Sequence, residues 1–142
     1  MCFAMLVYGT VNPPGETNGH AGVYLTEQDI VDIVESKSLY NKPILIEHKG
    51  DSVGKVISAW KNENRLDCVF EINESLPGMF AKYFVEKGKT PELSLGYVIE
   101  VEHSANGVVK NQRKKVVEVS LVKKGARDQC LIHAFSNIKT NK

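Results

Sequence analysis

An excess of charge of either sign is missing from this chain. Its 18 Lys and Arg against 17 Asp and Glu leave a net charge of +1, which gives no whole-molecule electrostatic case for nucleic acid or an anionic membrane. The two denser basic clusters, Lys110 to Lys115 and Lys123 to Arg127, read as solvated loops rather than as a binding stripe. Cysteine is scarce. The three present, Cys2, Cys68 and Cys130, are far apart and odd in number, and no C-x-x-C spacing occurs. That argues against a thiolate metal site and for small buried thiols in a reducing, intracellular setting. Long apolar runs are absent too: the opening Met1 to Val7 is too short to cross a bilayer and has no basic leader, so no membrane role is expected. Aromatics are few, and Tyr8, Tyr24, Trp60 and Tyr97 are scattered, whereas an oligonucleotide-binding barrel would gather them on one basic face. No internal repeat or low-complexity segment stands out.

What is there suits one globular domain with a single core. The chain has 142 residues, 42% hydrophobic and 25% charged, a balance that folds rather than stays disordered. Strand patterns cover residues 3–11, 22–25, 43–48, 53–60, 65–72, 92–102, 114–122 and 129–135. Loop chemistry fills residues 11–20, where His20 reads as an ordinary loop histidine, and a turn at 103–107 holds His103. Thr26 followed by Glu27-Gln28-Asp29 reads as a helix N-cap with an acidic first turn, and Ile30, Ile33 and Val34 recur at helical spacing. A second helix spans Leu76 to Lys87, capped by Asn73 or Ser75, with Leu76, Phe80, Tyr83 and Phe84 on one stripe. The expected fold is mainly β (α+β): an antiparallel β-barrel of about seven strands flanked by a few helices, closed or nearly closed to protect its edges. The domain is expected over residues 1–136, with a polar tail at 137–142.

Three side chains carry candidate chemistry. In Glu92-Leu93-Ser94-Leu95-Gly96-Tyr97, alternation puts Ser94 and Gly96 on one face and the leucines on the other, so Ser94 faces an open surface beside bare glycine backbone that lets a second chain come close. A serine is a weak nucleophile until a base takes its proton. His48 ends the apolar face shared by Ile44 and Ile46, just before the polar turn Lys49-Gly50-Asp51-Ser52; alone it is most often structural. Glu118 shares a strand face with Val116, Ser120 and Val122, opposite Val117, Val119 and Leu121; on pattern alone it is an outward-facing strand glutamate. Together the three supply a nucleophile, a base and a carboxylate to orient that base.

These segments in this order resemble the viral capsid-maturation proteases, the superfamily of herpesvirus assemblins and prohead proteases of tailed phages. Ile44-Leu45-Ile46-Glu47-His48 followed by Val53-Gly54-Lys55-Val56 is similar to the histidine strand and its V-G-x-V. Leu93-Ser94-Leu95-Gly96-Tyr97 is similar to the nucleophile strand in its phage form. Val117-Glu118-Val119-Ser120-Leu121-Val122 resembles the phage E-V-S-L-V strand, where assemblins have a histidine in place of Glu118. The opening from Tyr8 to Ile30, with its Y-L-T-x-x-x-I helix entry, is closer to the assemblins.

The resemblance implies a serine endopeptidase with the catalytic residues Ser94, His48 and Glu118. Similarity to the assemblin G-R-R loop implies an oxyanion hole at Gly125, Ala126 and Arg127. The Ala126 backbone N–H would be a direct donor and the Arg127 guanidinium would act through a water; the plain alternative for Arg127 is a surface pair with Asp128. No cofactor or metal is implied. The implied partners are scaffold and capsid proteins, bound as extended strands with small residues near the cut, and a homodimer or higher oligomer. Assemblins dimerise through a helix beyond the last triad strand, and no such helix is read here. Self-cleavage is implied as well, with Phe135-Ser136-Asn137 as its product or an arbitrary boundary. The implied setting is the assembling capsid inside the infected host cell. The rival reading is a capsid-assembly or scaffold-binding domain that keeps the barrel without activity, separated from the first by whether the three residues converge.

Overall fold

The computed structural model describes residues 3–12, 25–107, 109–125 and 129–139. Among them the chain runs β1 (Phe3–Asn12), α1 (Glu27–Ser36), β2 (Pro43–Ile46), β3 (Lys49–Asn62), β4 (Arg65–Ile72), α2 (Leu76–Glu86), β5 (Glu92–His103), β6 (Val109–Val122) and β7 (Ile132–Lys139). The strands form one seven-stranded sheet in the order β5-β6-β2-β3-β4-β1-β7. Met5, Val7, Val56, Phe70, Ile72 and Leu93 are fully buried in its core, each aliphatic side chain contributing about 1.5–3 kcal/mol of apolar burial.

Helix α1 starts where its sequence dictates. Thr26 Oγ1 accepts from the Asp29 N–H at 3.0 Å and the Thr26 N–H donates to Asp29 Oδ2 at 2.8 Å, a capping box with aspartate where glutamate is more usual. Lys114 Nζ donates to the same Oδ2 at 2.9 Å, tying the helix to β6. Burial alone would raise the Asp29 carboxyl, but the Thr26 and Lys114 donors outweigh it and hold it below the usual carboxylate range. The helix buries Ile30 and Ile33 against the sheet. Helix α2 is capped by Ser75, whose hydroxyl accepts from the Gly78 N–H at 3.1 Å.

Several expectations are corrected. The sheet is not closed into a barrel, and it is mixed, because β2 and β6 pair in parallel. Among the described residues, the edge strands β5 and β7 meet near the Glu92–Leu131 bridge, where the Leu93 N–H donates to Cys130 O at 2.7 Å and the Ile132 N–H to Pro91 O at 3.1 Å. Beyond Tyr97, β5 leaves that seam as an exposed two-stranded ribbon with β6. The basic stretch 110–115 lies in that ribbon rather than in a loop. The α2 stripe is turned outward: Leu76, Phe80 and Tyr83 are exposed, and the helix packs through Gly78, Ala81 and Val85, whose small first two side chains allow close approach. Residues 129–131 are not strand, and β7 runs instead to Lys139, into the stretch expected as a tail. The strand at 22–25, His20, Ala126 and Arg127 fall wholly or largely outside the described residues.

Candidate active site

The site is built around β6, which lies between β5 and β2. Its antiparallel register with β5 sets Ser94 opposite Ser120 and Gly96 opposite Glu118. Alternation on each strand then brings Ser94, Ser120 and Glu118 to one face. A register shift follows directly, from Gly96–Glu118 to Tyr97–Val116. This bulge reverses the expected parity: Val116 joins Val119 and Leu121 in the core and Val117 is left exposed.

His48 arrives from the other side of β6, and not from a strand face. β2 ends at Ile46, which pairs with Lys49. Glu47 and His48 form the two-residue turn between them, with φ of 53° and 61°. Two left-handed residues match the twist of a tight hairpin, yet neither is a glycine and each position costs about 1–2 kcal/mol. Bonds from β6 and from the residue that follows it hold the turn. The Glu47 N–H donates to Leu121 O at 3.0 Å, the His48 N–H to Ser120 Oγ at 3.0 Å, and the Lys123 N–H to Glu47 Oε1 at 2.8 Å. The residues 49–52, expected as the turn, are the start of β3.

This brings together the three candidate side chains. His48 Nδ1 lies 2.5 Å from Glu118 Oε1, and His48 Nε2 lies 2.9 Å from Ser94 Oγ. A carboxylate only accepts, so Nδ1 carries the proton and Nε2 is left to accept from the serine hydroxyl. Ser94 is buried, and the Glu118 side chain is 11% exposed, whereas the His48 side chain is 45% exposed. The imidazole is therefore the member most open to solvent.

One residue of the site had no assigned part, and another has a different one. Ser120 is fully buried, and its hydroxyl donates to Glu118 Oε2 at 2.7 Å while accepting from the His48 N–H. The signal for it was its i+2 spacing from Glu118 on one strand. Gly96 was expected to leave room for a second chain; instead the Glu118 carboxylate crosses over it, and a Cβ there would overlap Oε1. Of the loop residues, Gly125 is described, and its N–H donates to Glu92 Oε1 at 2.9 Å. Ala126 and Arg127 lie outside the described residues.

No protein-family model matches the chain, and no curated protein matches it in sequence. Solved structures do. The Kaposi's sarcoma-associated herpesvirus protease, solved with a hexapeptide phosphonate inhibitor, superposes with a TM-score of 0.60 at 17% identity over 94% of this chain. The varicella-zoster virus protease gives 0.59 at 19% identity over 96% of it. This chain spans 65% of the length of each of those two. A further structure of the Kaposi's virus enzyme, bound to a dimer disruptor, gives 0.57 at 16% identity, covering 93% of this chain and 76% of that one. The chain thus has the fold of the herpesvirus proteases.

Proposed function

We propose that this chain is a serine endopeptidase that cleaves scaffold and capsid proteins, and itself, during maturation of a viral or phage capsid. The observation that carries the reading is the continuous relay from Ser94 Oγ through both nitrogens of His48 to Glu118, on a fold shared with viral proteases. His48 Nε2 takes the Ser94 proton as Oγ attacks the scissile carbonyl carbon. The resulting imidazolium, held by Glu118, returns that proton to the leaving amine as the C–N bond breaks. Water, deprotonated by His48 in turn, then releases the acyl group from Ser94.

The oxyanion is assigned to the Ala126 N–H, with Arg127 acting through a water. Gly125, whose own N–H bonds to Glu92, anchors that loop to β5. Substrates are taken to bind as extended strands; the Kaposi's virus enzyme of similar fold was solved with a hexapeptide phosphonate inhibitor. A homodimer is proposed on the likeness to an enzyme solved with a dimer disruptor, and the assembling prohead in the infected cell is the proposed setting.

Labelling by a serine-directed fluorophosphonate, read by intact mass and peptide mapping, tests the reading. Modification confined to Ser94 and abolished in Ser94→Ala and His48→Ala is expected. A folded protein that remains unlabelled, even at concentrations that favour a dimer, would point to a scaffold-binding domain without activity.

A further inference from the structure

We infer that Ser120 is a positioning residue, the atom through which Glu118 and the His48 turn are held to one another. This rests on the peptidase reading above. Its hydroxyl makes two bonds in two directions. It donates its only proton to Glu118 Oε2 and accepts the His48 backbone N–H. Both bonds are short enough to be fully formed, at 2.7 and 3.0 Å.

The donation to Oε2 fixes the carboxylate's rotation, so that Oε1 is the oxygen presented to His48 Nδ1. The acceptance fixes the backbone from which the imidazole hangs, in a turn whose left-handed residues would otherwise relax. A hydroxyl is the smallest group that does both. Alanine does neither, and a carboxylate or amide would not fit opposite Ser94 in a fully buried position. Serine also costs the strand little, since its buried hydroxyl has its one donor and one of its two acceptor sites satisfied. Among the described residues Ser120 makes no hydrogen bond to Ser94 Oγ; it acts through its two partners.

The expected consequence of Ser120→Ala is a rate defect without a binding defect. The first-order rate of fluorophosphonate labelling should fall about ten- to a hundredfold, as for loss of a hydrogen bond to a charged group, with the half-saturating probe concentration unchanged. In parallel, the downfield proton NMR resonance of His48 Nδ1–H should be lost or moved, because the carboxylate it points to is no longer fixed. Ser120→Thr, which keeps the hydroxyl, should restore labelling to within a few-fold. Ser120→Cys, of similar volume and weaker donor strength, should fall between, and it carries the test if the alanine variant does not fold. A folded variant without the hydroxyl that labels at the wild-type rate and keeps the His48 resonance overturns the inference. If the wild-type chain itself is not labelled, the peptidase reading falls, and the resonance alone decides: unchanged in Ser120→Ala it overturns the positioning role, and lost it supports it.

Discussion

Gly96 is the residue whose side chain matters by not existing. The Glu118 carboxylate occupies the space that a Cβ would take, so any side chain there competes with the contact to His48. The obstructed group is the end of a flexible side chain and not backbone, which separates two costs that usually travel together. Gly96→Ala should lower stability only modestly, by about 1–3 kcal/mol, because Glu118 can swing away but leaves the buried Ser120 hydroxyl without its acceptor. Labelling of Ser94 should nevertheless fall by about two to four orders of magnitude, the range for losing a residue that orients the base. Thermal unfolding and labelling rates measured on one preparation check both halves. Loss of both in proportion would mean that the glycine serves packing alone.

At the scale of elements, the turn between β2 and β3 sets where His48 stands. Local chemistry pointed elsewhere: Lys49-Gly50-Asp51-Ser52 carries the residues turns prefer, and Glu47-His48 does not. The turn forms at Glu47-His48 because β6 and the residue that follows it supply partners for the backbone and side chain there, a tertiary force that no neighbouring residue announces. Strand β4 and the capped start of α1, by contrast, were legible to the residue, since alternation over 65–72 and the Thr26–Asp29 spacing are local signals. Ser94, His48 and Glu118 were legible for a different reason, as three chemical types in a recognisable order. The bulge at Val117 and the parallel pairing of β2 with β6 were not, because each depends on a partner strand far along the chain. The turn can be tested directly. Glu47→Val puts a β-branched residue at φ 53° and removes the Lys123 bond, so denaturant unfolding should show a loss of about 1–3 kcal/mol. Labelling should slow as well, since His48 is carried by the same turn.

For the whole molecule, a second buried polar cluster holds the opposite end of the sheet. Asp67 on β4 is fully buried. It accepts from Thr10 at 2.7 Å and Tyr8 at 2.9 Å, both on β1, and from Asn62 on β3 at 3.1 Å. Thr10 in turn meets His133 Nε2 of β7 at 2.7 Å, so four adjacent strands share one network. Burial would raise the Asp67 carboxyl, but these donors, with Arg65 nearby, outweigh it and hold it below the usual carboxylate range. The same carboxylate, first through its hydrogen bond, raises the Tyr8 phenol. A depressed folded value means the ionised form favours the native state. That stability is present above the unfolded value of about 4 and is lost as pH falls through the lower folded one. Asp67→Asn should therefore cost about 1–3 kcal/mol at neutral pH, and the gap between variant and wild type should narrow as pH drops below about 4. A constant gap across that range in denaturant titrations would assign the loss to packing.

The place of β6 between β5 and β2 has a consequence in time. Ser94 and His48 are separated by 46 residues and His48 and Glu118 by 70, and neither contact exists until β6 has paired with both neighbours. Pairings this distant form late in folding. During synthesis, the serine and the histidine emerge before the strand that aligns them, so on the peptidase reading the growing chain stays latent until β6 has been made and paired. The same dependence runs backwards: peeling β6 from either neighbour separates residues of the relay even where the rest of the sheet stays paired.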